Sequence, residues 1–453
     1  MGQSNEAKAP AQGGSLFARM AKNVGWVVGS RGFSGVLSIA YLALAARALG
    51  PKEFGVFALI LTYAQLIANF VQFQSWKGLI RYGAIHLSEG RSDKLNRLFG
   101  LTASLDIGSA FIGAIIAIVC APLAAGLFHW TDAEQTSAGI FASILLLTTG
   151  ATPSAMLRLF NRFDVAAFTE AVAPLIRLIG SVAAYAAGAG VMTFLSIWAL
   201  AAIAQALTEW TAAIIVNRSG LALGWRSFKQ ALDENERVLP YMLQINASDS
   251  VRMSWTQLGT LAVGAVAGPA EAGAFRLARR LAKGMVKPIQ PIALALYPEL
   301  TRLVAEGDHK QLRSVVARVT LVASGLALLV VLVTGVVGRE MLHLLAGRQF
   351  EFAQKFLFLL AIATAIDLAG FAFDPLVSAH GGSWKVLRTN IVAAVGFGIL
   401  LALLLPSIGS VGAAIAAIIC SVLIFVQLGY FTLRILQMKP ESRAEPDPHF
   451  EGG

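Results

Sequence analysis

The eight residues Gly50-Pro51-Lys52-Glu53-Phe54-Gly55-Val56-Phe57 return as Gly268-Pro269-Ala270-Glu271-Ala272-Gly273-Ala274-Phe275, both fitting G-P-x-E-x-G-x-F at an offset of 218 residues. Gly and Pro punctuate turns, so a match this short is also what a common turn would give. Its placement argues for duplication. Each copy follows one long apolar run and opens the next, at the same point of each half of the chain. Two halves of the same orientation form a parallel repeat, a plan that puts a substrate path at the interface between them.

The rest of the chain fits that plan. Of 453 residues, 56% are hydrophobic and only 14% charged, against roughly a quarter charged in a typical soluble domain. Apolar runs of about 20 residues, the length that crosses a bilayer, recur from end to end. The fold expected is an all-α membrane protein. A β-barrel would show short segments alternating apolar and polar, which are absent. We read about twelve transmembrane helices, near 24–48, 55–76, 99–121, 138–157, 166–188, 192–216, 241–266, 272–297, 315–337, 354–376, 389–406 and 410–433, in two six-helix lobes.

Loop charge orients them. Lys77, Arg81, Arg91, Lys94, Arg97, Arg158, Arg162, Arg226, Lys229, Arg302, Lys310, Lys385 and Arg388 share one side. The other side shows chiefly Lys52, Arg339, Arg348 and Lys355, among acidic neighbours. The positive-inside rule then places both termini in the cytoplasm. The organisation expected is a polar N-terminal segment over 1–23, an N-lobe over 24–216, a cytoplasmic inter-lobe loop over 217–240, a C-lobe over 241–433 and a disordered tail over 434–453. The formal charge of +10 belongs to these topology-setting loops and does not indicate nucleic acid as a partner.

One segment breaks the apolar pattern. Residues 275–287 read FRLARRLAKGMVK, with Arg276, Arg279, Arg280, Lys283 and Lys287 inside a stretch that should span. On a helical projection, Arg276, Arg280, Lys283, Lys287 and Gln290 share one stripe, with Arg279 at its edge. A surface-lying amphipathic helix would carry such a face. It would, however, invert the topology of the basic loops that follow. Arg276 and Lys287 could snorkel to the headgroups from the ends of a span. Arg280 and Lys283 lie near the middle, where a basic residue costs about 3 kcal/mol on insertion scales. A polar cavity accounts for them better than lipid does.

The repeat supplies the opposite wall. At the offset of 218, Lys283, Lys287 and Gln290 correspond to Gln65, Asn69 and Gln72, again one helical face. Arg31, Ser34 and Ser38 in the first span, with Arg47 at its outer end, and Gln244, Asn246, Asp249 and Arg252 in the seventh, add to the polar set. Polar residues therefore concentrate in spans 1, 2, 7 and 8, which predicts a hydrated, net basic chamber between the halves. Arg and Lys offer charge-assisted donors to a phosphate, so an anionic cargo is expected. Among the acids in or beside spans (Asp106, Glu170, Glu209, Asp249, Asp367 and Asp374), Asp249 is the candidate for ion coupling. Asp249 with Arg252, and Glu170 with Arg177, could equally form neutralising pairs.

Ala46-Arg47-Ala48-Leu49-Gly50-Pro51-Lys52-Glu53-Phe54-Gly55 resembles the A-R-x-L-G-P-x-E-[FY]-G signature of polysaccharide-unit flippases in the multidrug/oligosaccharidyl-lipid/polysaccharide exporter superfamily. Leu157 to Asp164 (LRLFNRFD) and Tyr297-Pro298-Glu299-Leu300 are similar in a looser way. The resemblance implies a flippase of the bacterial inner membrane for an isoprenoid pyrophosphate-linked oligosaccharide, serving O-antigen lipopolysaccharide, capsule or exopolysaccharide biosynthesis. It also implies that spans 1, 2, 7 and 8 line the cavity of two rocking lobes. A polysaccharide polymerase would be a natural neighbour. Ala265 stands where the repeat predicts a second Arg47, so Arg47 could contact cargo, cap its span or pair with Glu53.

Other readings remain open at this level. A lipid II flippase shares the pyrophosphate chemistry, while a cation-coupled drug exporter would have to bring organic cations into a basic chamber. A membrane glycosyltransferase or polymerase commonly needs an acidic pair in a sizeable outer loop, and here Asp132 and Glu134 sit in a brief connector. A non-transporting scaffold is the remaining class. The six histidines are scattered without ligand spacing, so no metal and no cofactor are expected. Cys120 and Cys420 fall inside apolar runs and read as packing residues.

Overall fold

The computed structural model describes residues 12–73, 75–217, 220–287 and 290–437. Within them there is no strand, and the chain runs through sixteen α-helices and a short 3₁₀ turn. A bilayer offers backbone groups no partner, so each crossing must bond its own N–H and C=O groups internally, which a helix does. Nine stretches among the described residues are long and apolar enough to cross. The first of these, Gly32–Val71, belongs to α1 (Gln12–Val71), which bends at Gly50 (φ 69°, ψ 175°) and so supplies two crossings. With α9 (Val238–Ala267) and the charged α10 (Pro269–Val286), the count read from sequence is reached.

The elements repeat half by half. In the first half α1 is followed by α2 (Trp76–Ser88), α3 (Ser92–Phe128), α4 (Asp132–Leu147), α5 (Ala151–Leu159), α6 (Phe163–Ala186) and α7 (Val191–Val216). After α8 (Trp225–Glu234), the second half gives α9, α10, α11 (Gln290–Glu306), α12 (His309–Ala346), α13 (Gln354–Ala369), α14 (Phe373–Ala379), α15 (Ser383–Ile408) and α16 (Val411–Gln437). Both copies break where sequence periodicity alone suggests continuity. The second span stops at Val71 and resumes at Trp76, and the eighth stops at Val286 and resumes at Gln290, with Pro288 in the sequence between. The fourth breaks between α4 and α5, and the tenth at Gly370 between α13 and α14.

The two Gly-Pro motifs lie against each other. A Cβ on Gly55 would fall 1.9 Å from the Pro269 carbonyl oxygen, and one on Gly273 would fall 2.9 Å from the Gly55 Cα. Only glycine allows α1 and α10 to approach this closely. Gly50 and Gly268 share positive φ (69° and 85°) with ψ at 175°, a conformation that L side chains rarely adopt. Pro51 and Pro269 then open the next helix, where a missing N–H costs nothing. Phe57 and Phe275 are fully buried behind them. Phe54 packs edge-on to Phe350 at 5.5 Å, Phe57 to Trp198 at 5.0 Å and Phe275 to Phe356 at 5.9 Å, so a buried aromatic layer fills this end.

The segment between the halves is less open than its polar composition suggests. It carries α8, and Arg97 on α3 holds Glu234 through two hydrogen bonds of 2.6 and 3.0 Å. His86 Nε2 meets Asn235 Oδ1 at 2.8 Å, and a Cβ on Gly100 would fall 2.1 Å from the Ala222 carbonyl oxygen. The linker is thereby pinned to α2 and α3. α1 begins at Gln12, inside the segment expected to be a polar extension. The tail beyond Gln437 lies outside the described residues.

Candidate functional site

A cavity of about 580 Å³ lies between the halves. The basic run forms one wall of it. Arg276, Arg279, Arg280, Lys283 and Lys287 on α10 and its C-cap all line the space. The opposite face of α10 explains the orientation, because Leu277, Ala278, Leu281 and Ala282 are buried in the core. Arg279, expected at the margin of the stripe, lines the cavity too. The wall is broader than the projection because the cavity extends to α13, where Thr364 and Asp367 join the lining.

These cations are not equivalent. Arg276 crosses to the first half, donating to Thr62 Oγ1 at 2.5 Å and Gln65 Oε1 at 3.3 Å. Lys287 rests against α1, with its Nζ 3.7 Å from where a Gly35 Cβ would stand. Arg280 and Lys283 are exposed to the cavity, and among the described residues neither donates a hydrogen bond nor joins an ion pair. Asp367 is the carboxylate in the described lining that acts on Lys283, and one carboxylate among six cations leaves a net positive charge that is costly in a membrane-embedded cavity unless water or an anion meets it.

The first-half wall differs from the expectation. Gln65 lines the cavity, but Asn69 and Gln72 are not among its described lining residues. Gln72 Nε2 instead donates to the Leu146 carbonyl at 3.5 Å, toward α4. Arg31, Asp249 and Arg252 lie outside the described side chains. Sequence reasoning missed Tyr41, Trp198 and the cavity role of Arg177, which complete this wall. The signal available was a single arginine in an apolar span. Spacing along the span makes Glu170 a possible neutralising partner for it. The structure corrects that pairing, because Glu170 binds Arg158 at 2.8 Å. The Arg177 guanidinium sits instead over the rings of Trp198 and Tyr41, 5.6 and 6.0 Å from their centroids.

Arg47 lies away from this cavity. Its Nε donates to the Leu345 carbonyl at 3.0 Å, and its Nη2 reaches the carbonyls of His343 and Leu344. These carbonyls lie in the last turn of α12, the negative end of that helix, where a cation is favoured; that of His343 also accepts the Gly347 N–H. Of the roles left open for Arg47, the structure shows none with Glu53 and this one with α12. It ties the first half to the second on the motif side.

The remaining acids have local partners. Asp106 is buried and accepts from the Thr152 N–H at 2.9 Å and Thr152 Oγ1 at 2.6 Å, at the N-terminus of α5. Glu209 accepts from Gln205 Nε2 at 2.8 Å and packs on Gly150, whose Cβ would fall 2.2 Å from its Oε2. Both carboxylates thus meet the broken fourth span rather than the cavity. Glu134, half of the acidic pair in the α3–α4 connector, is spent on a capping box with Thr131. No cluster of metal-ligating side chains occurs among the described residues.

The basic cavity thus lies between two repeated halves. Residues 20–304 match the family model of polysaccharide biosynthesis proteins. The chain belongs to that family. Inner membrane protein YghQ of Escherichia coli (strain K12) is 26% identical over 339 residues, which cover 74% of this chain and 94% of that protein. Among solved structures, an inward-facing multidrug resistance MATE family transporter of the MOP superfamily superposes with a TM-score of 0.72. It is 15% identical and covers 90% of this chain and 96% of its own. The inward closed lipid II flippase MurJ superposes with a TM-score of 0.66 at 12% identity, covering 90% and 88%. This polysaccharide biosynthesis family member thus has the fold of the MOP-superfamily transporters.

Proposed function

We propose that this family member is a flippase that carries an isoprenoid pyrophosphate-linked oligosaccharide from the cytoplasmic to the periplasmic leaflet of the inner membrane. The observation that carries the reading is the pair Arg280 and Lys283, exposed without a hydrogen bond or ion pair among the described residues, in a cavity whose described lining sets six cations against the one carboxylate of Asp367. A pyrophosphate supplies what they lack, through charge-assisted hydrogen bonds. A volume of about 580 Å³ falls in the range that holds a drug-sized group (about 300–1,000 Å³). It accommodates the pyrophosphate and adjoining sugars while the lipid tail stays in the bilayer. Support also comes from the family description and from a relative whose name places it in the inner membrane. Lobes over 24–216 and 241–433 rock about their shared contact, both termini facing the cytoplasm by the charge of the loops.

The test replaces Arg280 and Lys283 separately by Ala and by Glu and measures surface polysaccharide at matched protein levels. The Glu variants are expected to lose output at least tenfold. Wild-type output from both Glu variants would sink the assignment. The likeness to the lipid II flippase favours one second reading, since that cargo carries the same pyrophosphate lipid. Rescue of a cell depleted of its peptidoglycan-precursor flippase would select it. A basic wall disfavours organic cations, and dye resistance on overexpression is not expected.

A further inference from the structure

Arg177 has a setting unlike the five cations of α10. It projects from α6 in the first half, on the other side of the cavity. Among the described residues it forms no hydrogen bond and no ion pair, and its Nε is buried with no acceptor. The guanidinium cannot shed its charge, so a site that leaves it unpaired is incomplete. Nothing about the site is loose. Tyr41 and Trp198 pack edge-to-face at 5.2 Å, and Trp198 is fixed in turn by Phe57 and Phe194. Ring faces hold a guanidinium by its positive charge without using its N–H groups. The donors of Arg177 are therefore held in place and unspent.

Charge across the cavity adds a second argument. The described lining contains Arg177, Arg276, Arg279, Arg280, Lys283 and Lys287, and a single carboxylate, Asp367. Bringing the halves together while the cavity is empty brings cations toward cations in a medium of low dielectric. An anion bound to one wall alone would leave the opposite arginine uncompensated.

We propose that Arg177 is the first-half ligand of the transported anion, so that the pyrophosphate is gripped from both sides and its binding bridges the two halves. This rests on the reading of the cavity as an anion chamber. A pyrophosphate suits the role because its two phosphoryl groups can address opposite walls at once. Arg rather than Lys suits it too, because a planar fork stacks on aromatic rings and still donates from its edge.

The test uses the purified full chain in nanodiscs of neutral lipid, with farnesyl pyrophosphate and inorganic pyrophosphate as separate probes in calorimetric titrations. Arg177→Gln is expected to weaken binding roughly 10- to 100-fold, the loss of charge-assisted contacts to one group. Arg177→Lys, which keeps charge but not the fork, is expected to regain part of that loss. Weakening with farnesyl pyrophosphate supports a clamp on a lipid-linked cargo, and weakening confined to inorganic pyrophosphate supports a clamp on a free anion. Wild-type affinity for both probes in Arg177→Gln, with loss in Arg280→Gln and Lys283→Gln, overturns the clamp and leaves the chamber standing. Wild-type affinity in all three overturns both. Should Arg177→Gln fail to fold, Arg177→Lys decides alone: about 3- to 10-fold weaker binding supports the clamp, and unchanged affinity overturns it.

Discussion

Gly55 and Gly273 occupy one register position of the repeat, and Gln65 and Lys283 occupy another, yet the two pairs have had opposite histories. The glycines have stayed identical, because each helix needs the other's backbone at van der Waals distance. The second pair has diverged. Lys283 stands exposed in the cavity with no hydrogen bond among the described residues, whereas its counterpart Gln65 accepts one from Arg276. The halves match where they touch and differ where they face the space between them. Contact between copies punishes any change, while a cargo with one charged end rewards unlike walls.

The sharpest way to break this comparison is at the contact. Gly55→Ala places a methyl against the Pro269 carbonyl, a backbone atom that cannot swing away. We expect it to destabilise the protein by about 3 kcal/mol, the upper part of the overpacking range, and to abolish surface polysaccharide. Thermal melting in detergent reads the first and whole-cell staining the second. Gly273→Ala is expected to follow, and a tolerated pair of alanines would disprove that the contact limits the fold.

Next in size is a transplant of charge. Lys283→Gln combined with Gln65→Lys keeps the number of cations in the cavity and moves one to the other wall. If total charge were sufficient, transport would survive. Because Gln65 is the acceptor of Arg276, the transplant sets an ammonium against a guanidinium, and we expect less than one-tenth of wild-type output. Output near wild type would show that the asymmetry of the walls is incidental.

Arg47→Ala probes an asymmetry of another kind, since Ala265 occupies its repeat position. Removing the contacts to the α12 carbonyls is expected to loosen the motif side by about 1.5–3 kcal/mol. Cysteine labels across that side should report a wider distance distribution, and Arg47→Lys should recover part of the closure. The smallest effect is expected from Glu271→Gln. Its carboxylate accepts from the buried Ser410 hydroxyl at 2.8 Å, an acceptor role that glutamine keeps, and lies 3.7 Å from the exposed Lys355, so a change under about 1 kcal/mol in melting experiments is expected.

What the sequence made legible follows the same division. The repeated G-P-x-E-x-G-x-F carried the fold, because close approach and positive φ demand particular residue types at fixed spacing. The basic face of α10 was equally legible, because five cations in thirteen residues leave few places for a helix to sit. The cavity's other wall was hidden. Tyr41 and Trp198 look like ordinary core aromatics, and Arg177 stands alone in α6, so only tertiary packing brings them together. Gln72 misled for the complementary reason. The break after Val71 ends the helical register from which its direction was read. The pairing of Glu170 failed because spacing along one helix says nothing of Arg158, delivered by the neighbouring α5.

The glycine contact also sets a mechanical scale. If the halves swing about the point where α1 and α10 touch, α10 becomes a lever with its fulcrum at Gly273. Arg280 lies seven residues along that arm and Lys287 fourteen, or about 10 and 21 Å at 1.5 Å per residue. A swing of about 20° would carry the far end of the arm roughly 7 Å while the fulcrum barely moves. The cations nearest the fulcrum would therefore keep hold of a bound headgroup through the stroke, and those at the tip would sweep past it. Arg276, one turn from the fulcrum and bonded across to Thr62, would be the last to let go.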